Sequence, residues 1–155
     1  MESVDVLKQA EKLADLTLDL VGSCQRKQER IAERAQLSLS EFKCLRAFRG
    51  DTELSVKDIA QRMSLTSSRL TRIIDGLVKK RFVTRHIDSQ DRRIINVRLT
   101  KQGESISRKV TSDCTHVYEQ VLQIISPEDH DRIVTAVGRL TEAMHVRTEF
   151  VEDYD

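Results

Sequence analysis

Residues Ser55 to Leu99 read SVKDIAQRMSLTSSRLTRIIDGLVKKRFVTRHIDSQDRRIINVRL. Within them, apolar residues recur every three or four positions as far as Val78, and the apolar spacing then changes to two. A spacing of three to four is typical of an amphipathic helix, whereas a spacing of two is typical of a half-buried strand. The stretch therefore predicts two short helices joined by a turn and followed by a β-hairpin.

Polar residues place the boundaries of these elements. Ser55 caps the first helix, which we expect to end near Met63, and Thr66 or Ser67 caps the second. The hairpin pairs residues 82–87 with residues 95–99 across a polar turn. Two short helices joined by about three residues, with the second one basic, form the pattern of a helix-turn-helix motif. The hairpin that follows is called the wing below.

The positive charge of the chain is concentrated in this motif. The whole chain carries 26 Lys and Arg against 25 Asp and Glu, which gives a net charge of +1. From Ser55 to Arg93 there are ten basic residues and four acidic ones, so this part carries +6 and the remainder −5. A basic centre between acidic flanks indicates one specialised surface.

The arrangement of the basic residues favours binding of double-stranded DNA. A helix that enters the major groove meets base edges with its N-terminal side chains. The polar residues at that end of the second helix are Thr66, Ser67, Ser68, Arg69 and Arg72. Arg92 and Arg93 lie in the polar turn of the hairpin, and negative potential in a narrow minor groove attracts arginine. A charge run alone usually marks a solvated face, but here it coincides with a helix-turn-helix and a wing in the right order.

Helices are predicted on both sides of the motif. Two adjacent apolar stripes from residue 3 to residue 35 predict a long helix whose wide apolar face must be buried against other helices, those of a second subunit included. Ser38–Glu41 fits a capping box at the start of a short helix that stops at Gly50. Helical spacing returns after Thr100, and Ser126-Pro127 restarts the last helix. The predicted fold class is mainly α with a small β-hairpin wing.

The composition excludes several other classes. Five Gly and one Pro in 155 residues provide too little turn material for a sandwich or a barrel. An aromatic content of 4% disfavours a stacking platform for single-stranded nucleic acid. No apolar run approaches the ~20 residues of a membrane span, and the N-terminus lacks a secretory pattern. Three cysteines outside any CxxC pattern fit a reducing compartment. We therefore expect a cytoplasmic protein without a membrane partner.

Several short motifs in this order resemble the MarR family of winged helix-turn-helix regulators. They are Leu37–Phe42 with Leu45, Asp58–Met63, Asp91–Arg93, Val97–Thr100 and Gly103. The resemblance implies a homodimer that binds a pseudo-palindromic operator, acts as a repressor and is released by a small-molecule effector or an oxidant. It also implies dimerisation helices at residues 1–35 and 104–155 and a DNA-binding lobe at residues 36–103.

The resemblance assigns roles to single residues by position. Ser67, Ser68, Arg69 and Arg72, together with the cap Thr66, face the major groove. Arg93 enters the minor groove, Asp91 orients the wing tip by pairing with an arginine, and Arg92 contacts the DNA backbone. The chain departs from the family pattern at two positions. Arg81 stands where the family usually has glycine, and Gly76 lies inside the second helix of the motif.

Three other readings stay open. A winged-helix module that binds protein without sequence-specific DNA binding shares the fold. Cys24, which precedes Arg26-Lys27, is a candidate redox-sensing residue, because nearby positive charge activates a thiol. Cys114-Thr115-His116 with His130 or His145 is a weak metal-site candidate, since the spacing differs from that of structural zinc sites. No phosphate-binding loop or catalytic constellation is recognisable, so we expect neither an enzyme nor a cofactor.

Overall fold

The computed structural model describes residues 2–146, which form a mainly helical winged helix-turn-helix fold. Its elements in chain order are α1 (Glu2–Arg34), α2 (Leu39–Ala47), β1 (Glu53–Ser55), α3 (Val56–Met63), α4 (Ser67–Lys79), β2 (Val83–Ile87), β3 (Ile95–Leu99), α5 (Lys101–Ile124), a 3₁₀ turn (Pro127–Asp129) and α6 (His130–Val146). The chain divides into two compact units at residues 1–114 and 115–155. The prediction of a mainly α fold with a small wing is confirmed.

The three strands form one antiparallel sheet in the order β1-β3-β2. Val83 pairs with Leu99 and Ile87 pairs with Ile95, so the hairpin has the predicted strands almost residue for residue. Strand β1 was not predicted. It is three residues long, too short to show a period of two, and its pairing partner β3 lies more than forty residues further along the chain.

The core of the first unit lies between α2, α4 and the sheet. Side chains from every element around it are almost fully buried, namely Phe42, Leu45, Phe48, Ile59, Leu70, Ile74, Leu77, Val83, Val97 and Val110. Helix α4 contributes its buried residues from a single side, at spacings of three and four. Its opposite side therefore remains available for a partner.

Two of the predicted caps form as expected. The Glu41 backbone N–H donates to Ser38 Oγ, and the Ser38 N–H donates back to the Glu41 carboxylate, so the capping box is confirmed. Ser55 Oγ accepts from the Asp58 N–H at 3.0 Å. Thr66 is the N-cap residue of α4, but its side chain makes no capping hydrogen bond. The first amides of α4 thus keep free donors toward solvent.

The ends of two helices differ in detail from the prediction. Helix α2 ends at Ala47, and the chain reverses through left-handed backbone at Arg49 and Gly50, with φ of 51° and 95°. Residues Pro127–Asp129 form a 3₁₀ turn, so α6 begins three residues after the predicted restart. A 3₁₀ turn is frequent at the start of an α-helix.

Each unit exposes large apolar side chains on its own helices. On α1 they are Val6, Leu7, Leu13, Leu16, Leu18, Leu20 and Val21. On α6 they include Val134, Val137 and Met144. Within residues 2–146, no helix is both long and apolar enough to cross a membrane.

Candidate nucleic-acid interface

The outward side of α4 carries all the residues that the sequence placed in the major groove. Thr66, Ser67, Ser68, Arg69 and Arg72 are exposed. Leu70, Ile74 and Leu77 fix the opposite side of the helix in the core. Neither the Arg69 nor the Arg72 side chain forms a hydrogen bond or an ion pair with another described residue. Both guanidinium groups are therefore available to a ligand.

A buried carboxylate anchors the C-terminal end of α4. Glu41 on α2 is 7% exposed and accepts from Lys80 Nζ at 2.6 Å. Lys80 Nζ also donates to the carbonyl of Gln36, which precedes α2. Burial raises the pKa of Glu41, but the hydrogen bonds from Lys80 and Ser38 outweigh it and hold the pKa below 4.5. This clamp fixes α4 against the segment between α1 and α2.

Gly76 provides the space for this clamp. A Cβ atom at position 76 would lie 2.6 Å from Glu41 Oε1. Local sequence patterns could not indicate a partner for this glycine, because Glu41 lies more than thirty residues before it. The second departure, Arg81, adopts left-handed backbone with φ of 61° at the junction between α4 and β2. Its position therefore needs the conformation that glycine adopts most easily.

An arginine ties the wing to α4. Arg85 on β2 donates from Nη2 to the carbonyl of Thr71 at 2.9 Å, and its Nη1 lies 2.8 Å from Asp75 Oδ1. Thr71 and Asp75 are one helical turn apart on α4. The two contacts therefore hold the hairpin and the helix in a fixed relative position.

The carboxylates of the wing tip accept hydrogen bonds from other groups of the wing. The backbone N–H groups of Asp91 and Gln90 donate to Asp88, and Asn96 adds a side-chain hydrogen bond. The Arg93 side chain and backbone N–H both donate to Asp91. These bonds hold the pKa of Asp88 and of Asp91 below 3.8. The predicted pairing of Asp91 with an arginine occurs, and the arginine is Arg93.

The two tip arginines point into solvent. The Arg93 side chain is 90% exposed even though it pairs with Asp91. Arg92 is exposed and has no hydrogen bond or ion pair with another described residue. The structure thus brings Arg92 and Arg93 together at the end of the hairpin, and their contacts with DNA stay a prediction.

Other contacts that sequence analysis missed hold the motif together. Arg62 at the end of α3 donates to the carbonyls of Ala47 and Phe48 and pairs with Asp51 at 2.9 Å. On the sheet, hydrogen bonds from Arg98 and His86 hold the pKa of Glu53 below 4.5. These pairs join residues 11 to 45 positions apart. Local sequence patterns do not report contacts at that separation.

A cleft of about 990 Å³ lies between α1, α2, α3 and α5 within the first unit. Its lining includes five cationic side chains, those of Lys43, Arg46, Arg49, Arg62 and Arg108. The lining residues include no Asp or Glu, although Asp51 and Glu104 pair with Arg62 and Arg108. Phe42 and Met63 add apolar surface. This composition suits a small anionic molecule with an apolar part.

The cysteines differ in their surroundings. Burial raises the pKa of the Cys44 thiol to about 12, and burial also raises the pKa of Cys114. Neither thiol is poised to act as a thiolate at neutral pH. Cys24 is half-buried on α1, and its redox role stays a prediction. Residues 2–146 contain no group of three or more His, Cys, Asp or Glu that could hold a metal ion.

Comparison with known proteins agrees with this geometry. Residues 37–95 match the model of the MarR family. The chain is 30% identical to the HTH-type transcriptional repressor YetL of Bacillus subtilis, over 62% of this chain and 58% of that protein. It is 24% identical to the HTH-type transcriptional repressor MdtR of the same organism, over 88% and 91%. A solved MarR family protein from Bacillus stearothermophilus has a TM-score of 0.79 at 20% identity and covers 89% of this chain and 96% of its own.

Proposed function

We propose, from the match of residues 37–95 to the MarR family model, that this chain is a MarR family regulator that binds double-stranded DNA with α4 and the wing. The observation that carries the proposal is a set of exposed arginine side chains that form no hydrogen bond or ion pair with another described residue. These arginines are Arg69 and Arg72 on α4 and Arg92 on the wing tip. The contacts of Arg85 with α4 hold the helix and the wing together. A helix for the major groove and a basic tip for the minor groove are the two parts that such recognition needs.

The assembly that we propose is a homodimer that occludes a pseudo-palindromic operator and thereby represses transcription. The seven exposed apolar residues of α1 support it, since a soluble monomer rarely leaves so much apolar surface on one helix. Residues 36–103 would form the DNA-binding lobe. Residues 1–35 and 104–155 would provide the dimer contacts, although residues 147–155 lie outside the described residues. Half-sites would be spaced by about one helical turn, 10–10.5 bp.

Selection of bound sequences from random duplex DNA tests this function. The expected result is an enriched pseudo-palindrome, bound by a dimer in sedimentation, with an affinity that falls as salt is raised. A folded dimer that enriches no motif and shows no salt-dependent binding would contradict the proposal. That result would favour a winged-helix module that binds protein.

Arg93→Ala is expected to weaken binding to the selected operator by roughly tenfold, about 1.4 kcal/mol, because a charge-assisted contact to DNA is lost. The measurement is a fluorescence-anisotropy titration at several salt concentrations, in which the slope of log K against log salt should also become shallower. Arg132→Ala is the matched control, since Arg132 is an exposed arginine on α6 that pairs with Asp129. Equal affinity of Arg93→Ala and the wild type would remove Arg93 from the interface.

We propose further that the cationic cleft receives a small anionic effector. Isothermal titration with benzoate, and with the uncharged benzamide as a control, measures whether charge decides binding. The Lys43 side chain lines the cleft and forms no hydrogen bond or ion pair with another described residue, so Lys43→Gln is expected to weaken benzoate binding by roughly tenfold. Lys79→Gln, an exposed lysine on α4, should leave it unchanged. Equal binding of benzamide and benzoate would contradict an anion site.

A further inference from the structure

The outer end of the wing exposes two isoleucines that face each other. Ile87 ends β2 and Ile95 begins β3, and they are direct pairing partners. Ile87 is 62% exposed and Ile95 is 45% exposed. Large apolar side chains are costly to leave in water, and a pair of them on a two-stranded ribbon forms a continuous apolar surface. We call this pair the isoleucine step.

The isoleucine step lies on the side of the hairpin that faces α4. Residues two apart in a strand share a face, so the step continues the face of Val83, Val97 and Leu99, which are buried. Arg85, paired with Val97, lies on this same face and reaches Thr71 and Asp75 on α4. Along this face, the pair Ile87–Ile95 therefore follows the pair Arg85–Val97 and lies further from the core.

The surroundings of the step select the kind of partner. Asp88 and Asp91 are occupied by hydrogen bonds within the tip, whereas Arg92 and the exposed side of Arg93 remain available. The wing thus offers cationic groups at its end and an apolar surface next to them. A duplex backbone presents the complementary pattern, since phosphates alternate with deoxyribose rings whose C–H groups are apolar.

We propose that Ile87 and Ile95 pack against deoxyribose rings of the DNA strand that separates the groove occupied by α4 from the groove entered by the wing tip. This inference rests on the proposed function. If α4 occupies the major groove and the tip reaches the adjacent minor groove, one backbone strand passes beneath the hairpin face between them. The isoleucine step is the part of the described wing that lies on this face between Arg85 and the tip.

A contact of this kind contributes affinity without releasing counterions. Phosphate contacts change the salt dependence of binding by about −0.9 in slope per phosphate. Apolar contact with sugars lacks this effect, because no charge is neutralised. Isoleucine and arginine variants of the same wing are therefore expected to differ in their salt dependence as well as in their affinity.

The experiment compares variants on the operator selected with the wild-type protein. Ile87→Ala with Ile95→Ala is expected to bind roughly tenfold more weakly, with an unchanged salt slope. Arg92→Ala should instead reduce the slope by about one phosphate. Ile94→Ala is the matched control, because Ile94 is 40% exposed beside the step but occupies the alternate position along the chain. Ile87→Val with Ile95→Val should retain most of the affinity.

Thermal unfolding and sedimentation accompany the titrations. Equal affinity of the double alanine variant and the wild type, with both folded, would overturn the inference. A loss of affinity that follows a change in dimer assembly would also overturn it, because the step would then contact a second copy of the chain. Failure of the wild type to select any operator would instead overturn the proposed function, before any isoleucine variant is compared.

Discussion

Gly103→Ala is expected to destabilise the protein by about 3 kcal/mol, at the upper end of overpacking effects. A Cβ atom at position 103 would lie 1.8 Å from the carbonyl oxygen of Phe82 and 2.8 Å from its carbonyl carbon. That carbonyl accepts a hydrogen bond from the Thr100 N–H at 3.0 Å, so it is fixed at the start of α5. Either α5 or the junction before β2 must move. Urea unfolding followed by circular dichroism measures the loss.

Gly138→Ala is the control for this prediction. Gly138 lies inside α6, and a Cβ atom there would meet nothing within 4 Å. Alanine in a helix interior is favoured over glycine by about 0.5–1 kcal/mol, so this variant should be as stable as the wild type or more stable. If both variants unfolded at the same urea concentration, the close approach of α5 to Phe82 would not be a constraint on the fold.

Lys80→Met is expected to cost about 2 kcal/mol at pH 7, since it leaves the Glu41 carboxylate buried without its cation. The value is lower than for a fully buried pair because the Lys80 side chain is 37% exposed. Lys79→Met is the matched control, because Lys79 is exposed on the neighbouring position of α4. Chemical denaturation of the two variants side by side measures the difference.

The pH dependence of the Lys80→Met deficit identifies its cause. Glu41 has a pKa below 4.5 in the folded wild type. A carboxyl group with a lowered pKa adds stability above its unfolded pKa, and this stability is lost as the pH falls through the folded value. The deficit should therefore be largest at neutral pH and shrink as the pH falls and the Glu41 carboxyl group is protonated. A deficit that stayed constant from pH 7 to pH 3 would mean that lost packing, and not the ion pair, is responsible.

Sequence patterns predicted those parts of the fold that depend on neighbouring residues. The capping box at Ser38 and the two strands of the hairpin form where the pattern placed them. Strand β1 escaped prediction because Glu53–Ser55 becomes a strand only through pairing with β3. The left-handed backbone of Arg81 is likewise imposed by its surroundings, since arginine has no preference for it.

In the candidate site, too, local features could be predicted from the sequence and long-range contacts could not. The exposed residues of α4 and the wing tip could be located from periodicity and charge, because exposure on a helix or hairpin follows from the local pattern. The contacts that hold these elements in position could not. Lys80 reaches Glu41 across 39 positions, and Arg85 reaches Thr71 across 14. Such pairs form only when the chain has folded. In the sequence, each of these lysines and arginines looks like any other charged residue, so its partner cannot be identified.

The contacts of Arg85 with Thr71 and Asp75 would make DNA binding depend on the spacing of the grooves. Because Arg85 holds the hairpin on the helix, the distance between α4 and the wing tip would stay constant when the lobe binds DNA. A duplex whose adjacent major and minor grooves are separated by this distance would contact both α4 and the wing tip. A duplex with a different groove spacing would contact only one of them. The width and flexibility of the DNA between the two contacts would then be read together with its bases.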